Sequence, residues 1–182
     1  MKKMEDIKTT QPIRDMEDVK KMKEVLPRWR DRIMFTIGIN TGLRISDLVK
    51  LKPEDIKDGH IELREKKTSK IKRLQLSDSV YKQVVEYIDA YPKEYLFQSR
   101  KGGHIQEKSA WRIIHEAGLK LGLEHIGTHS MRKTFGYHAW RREVPLELIQ
   151  TAFNHSSPRT TMRYLGITED IMNKEAYGKM DM

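Results

Sequence analysis

Apolar positions along this chain first repeat with a helical period, then alternate, then return to the helical period. Met16, Val19, Met22, Val25 and Leu26 recur at helical spacing between Asp15, placed as an N-cap, and Pro27, which predicts a helix of about 12 residues. From Trp29 onward Ile33, Met34, Phe35, Ile37 and Ile39 are dense enough for a buried helix. It should end at Asn40-Thr41-Gly42, where turn and C-cap chemistry gather. Ile45, Leu48, Val49 and Leu51 predict a short third helix just after that turn, so Arg44 falls at a tight junction between two helices. At Ile56 the period changes. Alternating apolar residues flank Asp58-Gly59, and Ile71, Leu74 and Leu76 continue the pattern, which predicts an antiparallel sheet of about three strands. Glu65-Lys66-Lys67-Thr68-Ser69-Lys70 is the polar tip between its last two strands. Helical spacing then resumes over 78–90, 106–121, 129–142, 145–153, 157–164 and 168–176, with Pro145 and Pro158 in first turns. The first dozen residues are polar and unpatterned. The expected fold class is α+β, mainly α-helical with a small three-stranded antiparallel sheet. A flexible tail is expected over 1–12 and a single domain over 13–182.

Composition narrows the function classes. In 182 residues, Lys+Arg of 35 against Asp+Glu of 26 leaves 35 − 26 = +9, with a pI near 9.6. Such a balance suits a polyanionic partner through counterion release, although a well-solvated basic surface carries the same numbers. The absence of cysteine excludes disulfides, thiolate metal sites and cysteine nucleophiles. No apolar run approaches the roughly 20 residues of a membrane span, and Met1-Lys2-Lys3-Met4-Glu5 lacks the apolar core of a secretory signal. An intracellular protein with no membrane partner is expected. In that setting Asn154-His155-Ser156 is not a glycosylation acceptor.

The candidate chemistry lies in scattered polar residues on amphipathic segments: Arg44, His129, Arg132, His155 and Tyr164. A phosphodiester under attack gathers charge on its non-bridging oxygens, and guanidinium groups meet those oxygens with a planar fork of donors that stays charged. Tyr164 is the candidate attacking group. Each residue alone has a plainer reading: His129 and Arg132 as a surface or core pair one turn apart, Tyr164 as a core aromatic, His155 as a loop residue, and Lys67 as part of a solvated hairpin. His115, His125, His129, His138 and His155 raise the question of zinc, but no metal is expected without cysteine or an H-E-x-x-H spacing. No phosphate-binding glycine loop is present either. Lys101-Gly102-Gly103-His104 reads as a turn, and no nucleotide cofactor is expected.

The ordered motifs T-G-L-R-I-S-D-L-V-K-L, K-K-T-S-K, H-S-M-R-K-T-F and F-N-H-S-S-P-R-T-T-M-R-Y-L-G-I closely resemble the catalytic domain of the tyrosine recombinase family, also called phage integrases. The resemblance covers about residues 10 to 175. It implies the DNA breaking-rejoining fold and site-specific cutting and rejoining of double-stranded DNA through a 3′-phosphotyrosine intermediate. It makes Tyr164 the nucleophile, Arg44 and Arg132 the clamps on the scissile phosphate, and Lys67 the general acid for the leaving 5′-oxygen. Lys66 and Lys70 are the alternatives to Lys67 if the hairpin register differs. It also implies proton transfer by His129, a phosphate contact from His155, support from Asp47, and DNA contacts from Lys66, Lys70 and Arg159. Because a phosphotyrosine keeps the energy of the broken phosphodiester, neither ATP nor metal is required. Typical members also carry an N-terminal DNA-clamping domain, which the resemblance does not extend to here. A second reading is therefore an accessory DNA-binding protein that keeps the fold without the chemistry. The resemblance implies a monomer when free, a homotetramer on DNA, and a cytoplasmic protein of prokaryotic or phage origin. Ile171, Met172 and Tyr177 are expected on a C-terminal helix that either docks on a neighbouring subunit or folds back on its own domain.

Overall fold

Asp15 starts the first helix. Its carboxylate accepts from the Glu17 N–H at 2.8 Å, and Glu17 and Asp18 place negative charge in the first turn of α1 (Met16–Val25), which buries Val19 and Met22. The structure is a computed structural model that describes residues 10–64, 71–168 and 171. The expected tail over 1–9 and the hairpin tip at 65–70, with Lys66, Lys67 and Lys70, lie outside the described residues. So does the expected helix at 168–176 apart from Thr168 and Ile171, and with it Met172 and Tyr177.

Helix α2 (Trp29–Thr41) runs through the centre, with Ile33, Met34, Phe35 and Ile37 all buried. Gly38 lets α6 (Thr128–Arg141) approach closely, since a Cβ there would sit 2.7 Å from the Met131 sulfur. Gly42 caps α2 in the left-handed region, at φ 63°, and donates to the Gly38 carbonyl at 3.0 Å. This sharp stop delivers the chain directly into α3 (Ile45–Leu48).

The sheet follows in the order β1 (Ile56–Lys57), β2 (His60–Arg64), β3 (Ile71–Gln75), antiparallel throughout among the described residues. Its register pairs Ile61 with Leu74, turning Ile61 into the core, while the period of two sends Ile71 outward to 66% exposure. Helices α4 (Asp78–Ala90) and α5 (Glu107–Lys120) complete the main core, each burying one apolar stripe. The Gly102-Gly103 segment is the expected turn, both residues at positive φ.

Helices α7 (Leu146–Phe153) and α8 (Pro158–Leu165) sit apart from that core on the other side of α6. They share a small cluster of Ile149, Phe153, Leu165 and Ile167, flanked by Phe135, Met162, Tyr164 and Ile171. Ile171 thus packs on this chain's own cluster. Pro145 precedes α7 with extended backbone, one position before the first turn where the sequence places it. The packed region also begins earlier than the sequence suggests. Pro12 and Ile13 are buried, and the Gln11 N–H donates to the His125 carbonyl at 2.9 Å. No helix among the described residues is long and apolar enough to cross a membrane.

Candidate active site

Three helix boundaries converge on one surface: the end of α2, the end of α7 and the last turns of α8. Arg44 is half-buried in extended backbone between Gly42 and α3, and its carbonyl accepts from the Asp47 and Leu48 N–H groups at 3.0 and 2.9 Å. Asp47 is itself buried, one turn into α3. Gly127 and Ser130 open α6, with the Ser130 hydroxyl accepting from the Gly127 N–H at 3.1 Å. That start sets His129 in the exposed first turn and Arg132 one turn deeper, at 5% exposure.

Arg132 is the joint of the site. Its guanidinium donates to the Gly42 carbonyl at the end of α2 and, at 2.9 Å, to the Phe153 carbonyl at the end of α7. It lies 4.3 Å over the Phe153 ring and also hydrogen-bonds the Tyr164 hydroxyl. A fork with several donors in one plane can serve three elements at once in a way that a lysine cannot.

Asn154 ends α7 in the left-handed region, and the turn brings His155 back toward α8. The His155 ring bonds the Thr161 hydroxyl through Nδ1 at 3.0 Å and meets the Tyr164 ring edge-on at 5.1 Å. Burial lowers the His155 pKa, helped by the charges of Arg132 and Arg44, so the ring is neutral at pH 7. Ser157 caps α8 by accepting from the Thr160 N–H at 3.2 Å, Pro158 opens it, and Gly166 closes it at φ 68°. Tyr164 lies in its last turn, half-buried between Phe153, His155 and α6. Burial raises its pKa, while the charge and hydrogen bond of Arg132 and the charge of Arg44 pull the other way. His129 is exposed as a residue, yet desolvation of its ring lowers its pKa, followed by the charges of Lys133 and Arg132 and against Glu107 on α5.

The structure therefore gathers Arg44, Arg132, His155 and Tyr164, with Asp47 buried three residues after Arg44 and His129 linked to the group through the charge of Arg132. Lys67 and its alternatives Lys66 and Lys70 lie outside the described residues. The strand leaving that tip is tied to the site, because the Lys72 ammonium donates to the Ala152 carbonyl of α7 at 2.9 Å. Arg159 is exposed on the outer side of α8, where it lines a shallow pocket with Ser157, Thr160 and Arg163. Sequence reasoning missed Thr161, Phe153 and Lys133. Phe153 and Thr161 matter through a carbonyl and a hydroxyl that their spacing does not mark. Lys133 reads in sequence as one more basic residue, although its ammonium lies 5.1 Å over the Tyr164 ring.

An arrangement of two guanidinium groups, a neutral imidazole and a phenol can bind a phosphodiester and attack it. The pattern of the Phage integrase family matches residues 15–170. The probable integrase/recombinase YoeC of Bacillus subtilis is 42% identical over 165 residues, covering 88% of this chain and 91% of that protein. Tyrosine recombinase XerA of Pyrococcus furiosus is 32% identical over 161 residues, 84% of this chain but only 56% of that protein, so the chain spans about half of such longer relatives. The crystal structure of XerA recombinase superposes with a TM-score of 0.78 at 21% identity, over 94% of this chain and 65% of that one. Lambda integrase (residues 75–356) bound to DNA gives 0.70 at 18% identity, over 99% and 66%. With the family pattern spanning α1 to α8, the chain belongs to the phage integrase family and forms a tyrosine recombinase catalytic domain.

Proposed function

We propose that this chain cuts and rejoins double-stranded DNA at a specific site through a covalent bond between Tyr164 and a 3′-phosphate. The observation that carries this reading is the single guanidinium of Arg132. It hydrogen-bonds the Tyr164 hydroxyl from a buried position while Arg44 adds charge on the same side.

A scissile phosphate placed between Arg44 and Arg132 meets donors held before it arrives. Their positions stabilise the charge that builds on the non-bridging oxygens in the five-coordinate transition state. Tyr164 then attacks phosphorus, its proton passing to a base for which His129, neutral at pH 7, is the candidate. The 5′-oxygen leaves with a proton from Lys67. The Thr161 hydroxyl at Nδ1 holds the His155 ring for contact with a phosphate oxygen through Nε2, and Asp47 supports the arginine. In the return step a 5′-hydroxyl attacks the phosphotyrosine and the protons move back, so the bond is remade without an outside energy source. Lys66, Lys70 and Arg159 contact the DNA backbone around this point.

The reading also includes a monomer in free solution and a tetramer on DNA. Lambda integrase, one of the similar folds, has been solved as a tetramer bound to a Holliday junction. A cytoplasmic location, where DNA is accessible, accompanies it.

A library of short nicked duplexes of random sequence tests the chemistry, because cleavage next to the nick releases the leaving strand and traps the covalent product. The chain should give adducts on a denaturing gel, Tyr164→Phe should give none, and the captured DNA identifies the target. If neither forms an adduct while both bind DNA equally, the enzyme reading is overturned and an accessory binding protein remains.

A further inference from the structure

Lysine is among the side chains least often buried, because its ammonium loses more hydration than a single contact returns. Lys133 is nonetheless only 7% exposed. Its ammonium donates to the Thr10 carbonyl at 2.6 Å and lies 5.1 Å from the centre of the Tyr164 ring. Adjacent residues of α6 therefore hold one phenol, with Arg132 at the oxygen and Lys133 at the ring face.

The partner carbonyl belongs to a strap of residues 10–14 that crosses α6 and reaches the end of α8. The Ile13 N–H donates to the Thr134 hydroxyl at 2.9 Å, the Ile13 carbonyl meets His138 Nε2 at 3.0 Å, and Arg14 donates to the Gly166 carbonyl at 3.0 Å. Gly166 is the residue that closes α8, two positions after Tyr164. The strap thus anchors the ammonium at one end and the tyrosine helix at the other.

We propose that Lys133 is a positioning residue for the nucleophile, held by the strap so that its charge orients the Tyr164 ring and favours the ionised phenol. A cation is attracted to an aromatic face by the negative potential of its π-cloud, and a phenolate ring is far richer in that charge than a phenol. The interaction therefore strengthens as Tyr164 loses its proton, which is the condition for accelerating attack rather than merely holding the residue in place. This role rests on the recombinase reading.

The proposal carries a pH signature. Among the described residues, the titratable and charged groups around Lys133 and Tyr164 are His129, Arg132 and His138 on α6, Glu107 on α5 beyond His129, Arg44 before α3, His155 before α8, and Arg14 in the strap. His129, His138 and His155 all have lowered pKa values and are neutral above pH 7, and guanidinium groups stay charged. Burial lowers the Lys133 pKa, so its ammonium is lost at a lower pH than that of an exposed lysine, while burial raises the pKa of Tyr164.

Single-turnover adduct formation on the captured target should be about tenfold slower in Lys133→Met than in the wild type at pH 7, the order expected for a partly desolvated cation–π contact. DNA affinity should be nearly unchanged. The deficit should shrink toward none as pH rises through the Lys133 pKa, whereas Lys133→Arg should keep its advantage over Lys133→Met across the same range. Equal rates at pH 7, or a deficit of constant size at every pH, overturn the proposal. If Lys133→Met does not fold, the ratio of wild type to Lys133→Arg decides, since it must fall with rising pH. A wild type that forms no adduct overturns the recombinase reading and this role with it. The contact itself is read separately by NMR. The Lys133 ε-methylene protons should be shifted upfield by the Tyr164 ring and return to ordinary values in Tyr164→Leu; no upfield shift in the wild type overturns the contact on which the role depends.

Discussion

Arg132 carries two duties that pull in the same direction. Its donors satisfy the Gly42 and Phe153 carbonyls, so it fixes the ends of α2 and α7, and the same plane presents charge to Tyr164 and, in the proposed reaction, to the scissile phosphate. Lysine in its place keeps the charge but has one nitrogen and no fork, leaving at least one of those carbonyls without its donor. An unsatisfied buried carbonyl costs about 1–3 kcal/mol, which in a domain of this size lowers Tm by about 2–10 °C. Arg132→Lys should therefore melt measurably earlier, and on the trapped substrate its adduct formation should fall by about a hundredfold or more, as for loss of a preorganised donor to developing charge. Normal cleavage in a variant that melts early would confine Arg132 to a structural role. The part of this that is legible in the sequence is the pairing of a histidine with an arginine three residues on. Lys133 is not legible, because its partners Thr10 and Tyr164 lie far away along the chain, 123 residues in the case of Thr10.

At the scale of elements, the apolar pattern located nearly every described helix to within about two residues of where the structure has it, because most bury one face and repeat accordingly, while α2, buried on all sides, is marked by its apolar density. Periodicity says nothing about which helices share a core. Helices α7 and α8 rest on four buried side chains of their own, while α1 to α6 and the sheet share the main cluster. Nor does it reveal the strap, whose bonds run from backbone groups to distant partners while its side chains show no pattern. Gly136 decides how α7 and α8 meet α6. A Cβ there would stand 2.5 Å from Leu165 Cδ2 and 2.7 Å from the Phe153 ring, so one of these side chains must move. Overpacking of this kind costs about 1–3 kcal/mol, against a gain of about 1 kcal/mol for alanine in a helix. Because the clash is confined to the small cluster, Gly136→Ala should leave the main core intact and loosen only its neighbours. Amide exchange should quicken across 146–165 while α2 stays protected, and adduct formation should fall with it. Faster exchange in α2 to the same degree would mean that the two clusters unfold as one unit.

For the whole molecule the question is whether the net charge of +9 serves the DNA or merely keeps the chain soluble. Charge interspersed over the entire surface binds few phosphates at once, whereas charge directed at one duplex releases counterions together. The geometry favours the second case. Arg44, Arg132 and His155 converge on one point, Arg159 and Arg163 stand on the exposed side of the same helix that carries Tyr164, and Lys72 ties β3 to α7. If about six phosphates are neutralised, the slope of log K against log salt is about −5, and affinity falls roughly a thousandfold between 50 and 200 mM salt. Anisotropy titration of a labelled duplex over that range measures the slope directly. Arg159→Ala should flatten it by about one phosphate while weakening all sequences alike, as a backbone contact does. A slope near zero would leave the basic balance as a solvated surface. The arginines of the site would then have to hold the scissile phosphate with almost no help from the rest of the molecule, and a site that must find one phosphate among many in duplex DNA could not do so at physiological salt.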